Sequence, residues 1–229
     1  MTTENSLHNQ YELYPYPPRD PRAETSRLLT GSPSHIAEIN HYIFAGKRDF
    51  TKPFRALIAG GGTGDGAIML AQQLADISDK GDVVYLDLSA SATNIAKSRA
   101  KVRGLKNIKF LQCSLLDVAK LCEPPFDYID CCGVLHHLDN PSEGLESLTN
   151  VLCDNGGMGL MVYAPLGRTG VYPMQNLLRM IGDNKSPAGR LEQAKSILRF
   201  LPPTNWLHRN DLIKDHVDAG DAGIFDLLL

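Results

Sequence analysis

The chain has 229 residues, the length of one ordinary to large domain. Hydrophobic residues make up 43% and charged residues 21%, which excludes global disorder, and no apolar run approaches the roughly 20 residues of a membrane span. The formal net charge of −3 lacks the basic excess of a polyanion binder, so neither a nucleic-acid nor a membrane partner is expected.

Met1–Gln10 is polar and has no apolar signal core. The five cysteines are odd in number and include no CxxC pair, which reads as reduced thiols in a cytoplasmic protein. A metal site built from Cys131, Cys132, His136 and His137 is disfavoured, because adjacent residues on a strand point to opposite faces. No metal is expected.

Residues 1–50 read as an N-terminal cap segment. Tyr11–Pro18 is rich in tyrosine and proline, so an extended strap is expected there. Ser32-Pro33 reads as an N-cap and first helical residue, with Ile36, Ile39 and Ile43 as the apolar stripe.

Residues 51–163 alternate between strand and helix patterns. Strands are expected at Arg55–Ala59, Val83–Leu88, Ile108–Gln112, Phe126–Cys132 and Met158–Tyr163. Helices are expected at Ala67–Ile77, at Ser91–Val102 before Gly104, and after the cap Asn140-Pro141. The last of these buries Leu145, Leu148 and Val151, and Asn155-Gly156-Gly157 reads as a turn. This order predicts an α/β fold with a doubly wound, mainly parallel sheet. Ligands in such sheets bind beyond the carboxyl ends of the strands.

Residues 164–229 read as a mostly helical extension. A helix is expected from Ser186-Pro187 to Pro202-Pro203. Residues 164–210 carry seven basic and two acidic side chains, whereas 211–229 carry one basic and five acidic.

The chemistry concentrates after the first strand, in Gly60-Gly61-Gly62-Thr63-Gly64. Glycines allow a tight turn and close approach of backbone to ligand, and the following helix start offers free N–H groups. Asp87 ends the second strand, 23 residues beyond Gly64, where a carboxylate accepts both hydroxyls of a ribose. These two features alone serve any adenosine-containing cofactor.

The order Gly60-x-Gly62-x-Gly64, Leu86-Asp87-Leu88-Ser89, Phe126-Asp127 through Leu135-His136-His137-Leu138, and Asn155-Gly156-Gly157 resembles class I S-adenosylmethionine-dependent methyltransferases. It is most similar to their small-molecule branch, over about residues 55–163. The resemblance implies a Rossmann-like fold and S-adenosyl-L-methionine as cofactor. It implies that Gly60, Gly61, Gly62, Thr63 and Gly64 pass under the methionine part, with Asp87 on the ribose and Leu88 beside the adenine. It also implies that Ser114 and Leu115 form the adenine-binding turn, and that Cys132 and Gly133 bring backbone to the methionine amino group.

Two departures stand out. The family often has an acid at the position of Ile58, and proline usually precedes the Gly-Gly turn where this chain has Asn155. No Asn-Pro-Pro-Tyr-like block follows the fourth strand, which again argues against a nucleic-acid acceptor. The expected function is methyl transfer to a small-molecule acceptor by in-line displacement, with His136 and His137 as candidate general bases. The alternatives are a non-catalytic S-adenosylmethionine-binding protein and an NAD(P)-dependent oxidoreductase.

The family's sheet normally ends in an antiparallel pair after the fifth strand. Here Gly223–Leu229 is apolar and shows no hairpin signal, so the chain is expected to be a fragment or a variant lacking the last strands. The fifth strand would then be an open edge.

Overall fold

A computed structural model describes residues 11–123, 125–182 and 185–229; the expectation placed on Met1–Gln10 lies outside them. The chain divides into two compact units. One takes in residues up to Pro15 and Arg19–Val162, and the other takes in Tyr16–Pro18 and Tyr163–Leu229.

The first unit follows the alternating pattern. In chain order its main elements are α1 (Ile36–Tyr42), β1 (Phe54–Ala59), α2 (Asp65–Ile77), β2 (Gly81–Asp87), α3 (Ala90–Arg103) and β3 (Ile108–Gln112). After these come α4 (Val118–Leu121), β4 (Phe126–Cys132), α5 (Pro141–Thr149) and β5 (Leu152–Met161). Short 3-10 helices lie at Pro21–Thr25, Leu115–Asp117 and Leu135–His137. The five strands form one sheet in the order β3-β2-β1-β4-β5, with every pairing parallel. This is the expected Rossmann-like α/β fold.

Strand alternation divides the core into two layers. Ala56, Ile58 and Tyr85 face Leu70 and Leu74 of α2 and Ala96 of α3. Leu57, Leu86 and Ile129 face Val118 of α4 and Leu148 of α5. Gly104 ends α3 in the left-handed conformation at φ 69°, where a side chain would be strained. Asn140 caps α5, its Oδ1 accepting from the N–H groups of Ser142 and Glu143. Leu148 and Val151 are buried as expected, but Leu145 is exposed.

Three further local expectations fail. Tyr11–Leu13 is helical rather than extended. Helix α1 is capped by His35, whose Nδ1 accepts from Ala37 N–H at 3.2 Å, and not by Ser32. The serines upstream are engaged elsewhere, Ser32 Oγ donating to Glu38 and Ser34 Oγ to Asp130. Finally, Asn155–Gly157 is not a free turn but part of β5, at a register shift against β4. Glycine is required there, since a Cβ on Gly156 would meet the Asp127 carbonyl at 2.8 Å and one on Gly157 would meet Ile43 at 2.7 Å.

The second unit is helical among the described residues. It contains α6 (Val171–Gly182), α7 (Pro187–Phe200), α8 (Asp215–Asp218) and α9 (Gly220–Leu228). Ser186 caps α7 as expected, its hydroxyl oxygen accepting from Gly189 N–H at 3.2 Å. The apolar C-terminal stretch forms α9, which buries Ile224, Phe225, Leu227 and Leu228. The Tyr16 hydroxyl donates to Asp215 Oδ1 at 2.5 Å within this unit. Among the described residues no strand follows Met161, and β5 lies at the edge of the sheet.

Candidate functional site

The glycine loop leaves β1 and enters α2 without a side-chain cap. Gly60, Gly62 and Gly64 have φ of 76°, 52° and 102°, values that disfavour any residue with a Cβ. The loop is held from both neighbouring strands. Gly60 and Gly61 N–H donate to the Leu86 carbonyl at 2.8 and 3.1 Å, and a Cβ on Gly60 would strike the Val134 side chain beyond β4. The Tyr85 hydroxyl donates to the Gly62 carbonyl at 2.5 Å. Thr63 is fully buried, and its carbonyl accepts from Arg99 Nη1 at 2.8 Å.

Asp87 closes this loop from the β2 side. Its Oδ2 accepts from Gly62 N–H at 2.7 Å and its Oδ1 from Ser89 N–H at 2.8 Å. Burial pushes its carboxyl above the usual range, and the amide donors Ser89, Gly62 and Leu88 oppose that rise. A carboxylate has about four acceptor sites, and these amides leave part of that capacity for a hydroxyl of a ligand.

The remaining expected residues gather at the same end of the sheet. Cys113 N–H donates to the Asp87 carbonyl at 3.0 Å, which ties the end of β3 to that of β2. Ser114 caps the short helix at Leu115–Asp117, its hydroxyl oxygen accepting from Leu116 N–H at 3.3 Å. Leu115 is buried below, and the Leu88 carbonyl accepts from Gln112 at 3.2 Å. Beyond β4, Gly133 has φ 76° and donates its N–H to the Met161 carbonyl at 3.0 Å. His136 and His137 follow, with ring centroids 4.3 Å apart. Cys131 lies in the core while Cys132 is only half-buried. The loops after β1, β2, β3 and β4 thus share one end of the sheet.

Four contributors have no motif in the sequence. Tyr85 is spaced only as a core strand residue, yet its hydroxyl braces the glycine loop. Asp130 pairs in register with Ile58, so a carboxylate stands on the neighbouring strand at the level where the family often has its acid. Burial pushes Asp130 above the usual carboxylate range, against hydrogen bonds from Ser34 and Cys132. Tyr11 and Glu12 also reach this end of the sheet. The Tyr11 carbonyl accepts from Ser89 Oγ at 3.2 Å, and Glu12 accepts from the start of α3. Their tyrosine- and proline-rich setting shows no chemical signature.

A parallel sheet in this order, a glycine loop after β1 and an acid at the end of β2 form the frame of a domain that binds an adenosine-containing cofactor. Residues 57–158 match the model of the methyltransferase domain family. Its cofactor is S-adenosylmethionine, and the dehydrogenase alternative falls away.

An uncharacterized protein of Synechococcus sp. is 32% identical over 209 residues, covering 88% of this chain and 47% of that protein. The tRNA 5-carboxymethoxyuridine methyltransferase of Escherichia coli is 36% identical over 110 residues, covering 48% of this chain and 40% of the enzyme. The chain therefore spans less than half the length of these curated relatives. The structure of PKMT2 from Rickettsia typhi in complex with AdoHcy superposes with a TM-score of 0.57 at 22% identity. That match covers 77% of this chain and 35% of the other, and it shows the shared fold.

The Escherichia coli relative corrects one expectation. The low net charge and the missing Asn-Pro-Pro-Tyr block pointed away from nucleic acid, yet a relative 36% identical over 110 residues is a tRNA methyltransferase. The physical error lies in averaging. A net charge over the whole chain hides the basic excess of residues 164–210, which the acidic residues 211–229 nearly cancel. No helix among the described residues is long and apolar enough to cross a membrane.

Proposed function

We propose that this chain transfers a methyl group from S-adenosylmethionine to an acceptor bound beyond the carboxyl end of the sheet. The observation that carries this reading is the clasp between Asp87 and the glycine loop. A half-buried carboxylate with spare acceptor capacity stands beside bare backbone at positive φ. That set fits a ribose diol next to a chain that needs close backbone contact. In this reading Asp87 takes the ribose hydroxyls, and Leu88, Ser114 and Leu115 line the adenine. Gly60–Gly64 would pass under the methionine part, and the backbone of Cys132 and Gly133 would receive its amino group.

The cofactor supplies an activated sulfonium methyl donor. The chain's task is to align the acceptor and exclude water. His136 and His137 follow β4 at that end, and an imidazole is suited to take a proton near neutral pH. We assign the general-base role to this pair.

A small-molecule acceptor is supported by the resemblance to that branch of the family. A tRNA acceptor is supported by the Escherichia coli relative. A cytoplasmic setting is supported by the five free cysteines.

Calorimetry with S-adenosylhomocysteine tests the cofactor site, with micromolar binding expected in the wild type and lost in Asp87→Ala. Radiolabelled methyl transfer into separated RNA and small-molecule fractions of a cell extract then identifies the acceptor. Binding without label in any fraction would leave a cofactor-binding protein rather than an enzyme. Near-normal turnover in both His136→Ala and His137→Ala would remove the base assignment.

A further inference from the structure

Tyr11 and Glu12 lie far from the glycine loop in sequence, but contacts join them to loops on both sides of it. The Tyr11 carbonyl accepts from Ser89 Oγ at 3.2 Å, two residues beyond Asp87. The Tyr11 ring stands edge-on to His137, with centroids 6.3 Å apart at 78°. Ser89 follows β2 and His137 follows β4, and these two strands flank β1 in the sheet. Tyr11 therefore bridges the loops that follow the two strands on either side of β1, the strand that leads into Gly60–Gly64.

Glu12 fastens this bridge. Its carboxylate accepts from the backbone N–H groups of Ala90 and Ser91 and from Ser91 Oγ at 2.8 Å. These N–H groups open α3, where the helix dipole favours an anion. Burial acts to raise the Glu12 carboxyl, but the Ser91 hydroxyl and the Ala90 amide outweigh it and hold it below the usual range. Arg19 adds a second attachment, its Nη2 lying 2.6 Å from Asp65 Oδ2 at the first residue of α2.

We propose that Tyr11 is a wall of the cofactor crevice and that Glu12 is the latch that holds it there, so that the bound cofactor is retained by this segment. The proposal rests on reading the crevice as the S-adenosylmethionine site. The attachment is built of a few polar contacts, which suits a part that opens and recloses. Glu12 also bears on the chemistry of the crevice, because its charge adds to the rise of the Asp87 carboxyl.

The test is the dissociation rate of S-adenosylhomocysteine from the full chain, measured by stopped-flow. Glu12→Gln keeps the shape of the latch and removes its charge, and Tyr11→Ala removes the wall. Both are expected to raise the dissociation rate about tenfold or more, whereas Tyr11→Phe, which keeps the ring, stays within twofold of wild type. Hydrogen exchange in residues 11–15 of the wild type is expected to slow at least threefold when S-adenosylhomocysteine binds. A merely structural role would lower the melting temperature of the variants without producing that ligand-dependent protection. Wild-type binding with unchanged rates in both variants overturns the latch and leaves the cofactor site standing. A wild type that does not bind S-adenosylhomocysteine overturns both.

Discussion

Replacing Arg99 with methionine removes the guanidinium that ties the N-terminal segment to the glycine loop and α3. Arg99 is 1% exposed, and its ion-pair partner Glu24 is 6% exposed. Arg99 Nε donates to Glu24 Oε1 at 2.8 Å, and Nη1 donates to the Thr63 carbonyl at 2.8 Å and to Asp65 Oδ1 at 2.6 Å. Removing one member of a buried ion pair costs about 3–5 kcal/mol, because a charge is left buried without its partner. Here each abandoned carboxylate keeps a second guanidinium, Arg103 for Glu24 and Arg19 for Asp65. The loss should therefore fall near the lower end, about 3 kcal/mol. Glu24→Gln should cost as much or more, since Arg99 and Arg103 both lose their shared anion. At roughly 2–4 °C per kcal/mol, the Arg99→Met loss is a fall in melting temperature of about 6–12 °C. Urea denaturation followed by circular dichroism measures the free energy directly. A cost below about 1 kcal/mol for Arg99→Met would refute the reasoning and show that water already screens the network. In the double variant the two losses should fall short of their sum, because both act on one cluster.

Gly61→Ala should weaken S-adenosylhomocysteine binding at least tenfold in calorimetry, because the new methyl would strike the Tyr85 ring and lift the loop off the Asp87 clasp. Retained affinity would mean that Tyr85 yields and the loop position matters little. Cys131 should resist iodoacetamide at pH 8 in the folded chain and react once urea is added, as mass spectrometry of labelled peptides would show. Burial, with the nearby Asp130 charge adding to it, pushes that thiol up to about 12, and the thiolate is the reactive form.

The parts legible in the sequence are those fixed by local pattern. β3 and β4 begin and end at the expected residues, because a short, largely apolar run between turn signals marks a strand, half-buried at the sheet edge in β3 and buried in β4. Gly104 and Asn140 mark helix ends through their own backbone and side-chain chemistry. The site was legible to the extent that glycine and Asp87 carry local meaning. What stayed hidden depends on distant partners. Asn155–Gly157 looks like a turn, but its glycines serve close packing against Asp127, Ile43 and the neighbouring strand. Ser32 looks like a helix cap, but the chain sends it to Glu38 and leaves the cap to His35. Arg99 reads as an ordinary polar helix residue, since Glu24 lies 75 positions away. Tyr11 and Glu12 acquire meaning only when the fold brings Ser89–Ser91 and His137 beside them.

Asp130 gives the sharpest test of the interior beneath the site. It sits in register with Ile58 on β1, and the uncharged Ser34 and Cys132 donate hydrogen bonds to it. Burial raises its carboxyl above the unfolded value of about 3.9. A group raised in the folded state contributes stability that is fully present below its unfolded pKa. That contribution is lost as pH rises through the folded pKa, because the native state then ionises a buried group. Asp130→Asn keeps the shape and an acceptor for the Ser34 hydroxyl but cannot ionise. Relative to wild type, the variant should therefore gain stability as pH rises above the unfolded pKa, until the folded carboxyl has ionised. Urea midpoints for both proteins across that range measure the difference. A difference that stays flat, or that shrinks with rising pH, would show that a cation or water stabilises the charged form of Asp130. Asp130 would then be an ionised anchor at the level of Ile58 rather than a carboxyl whose ionisation is disfavoured by its burial.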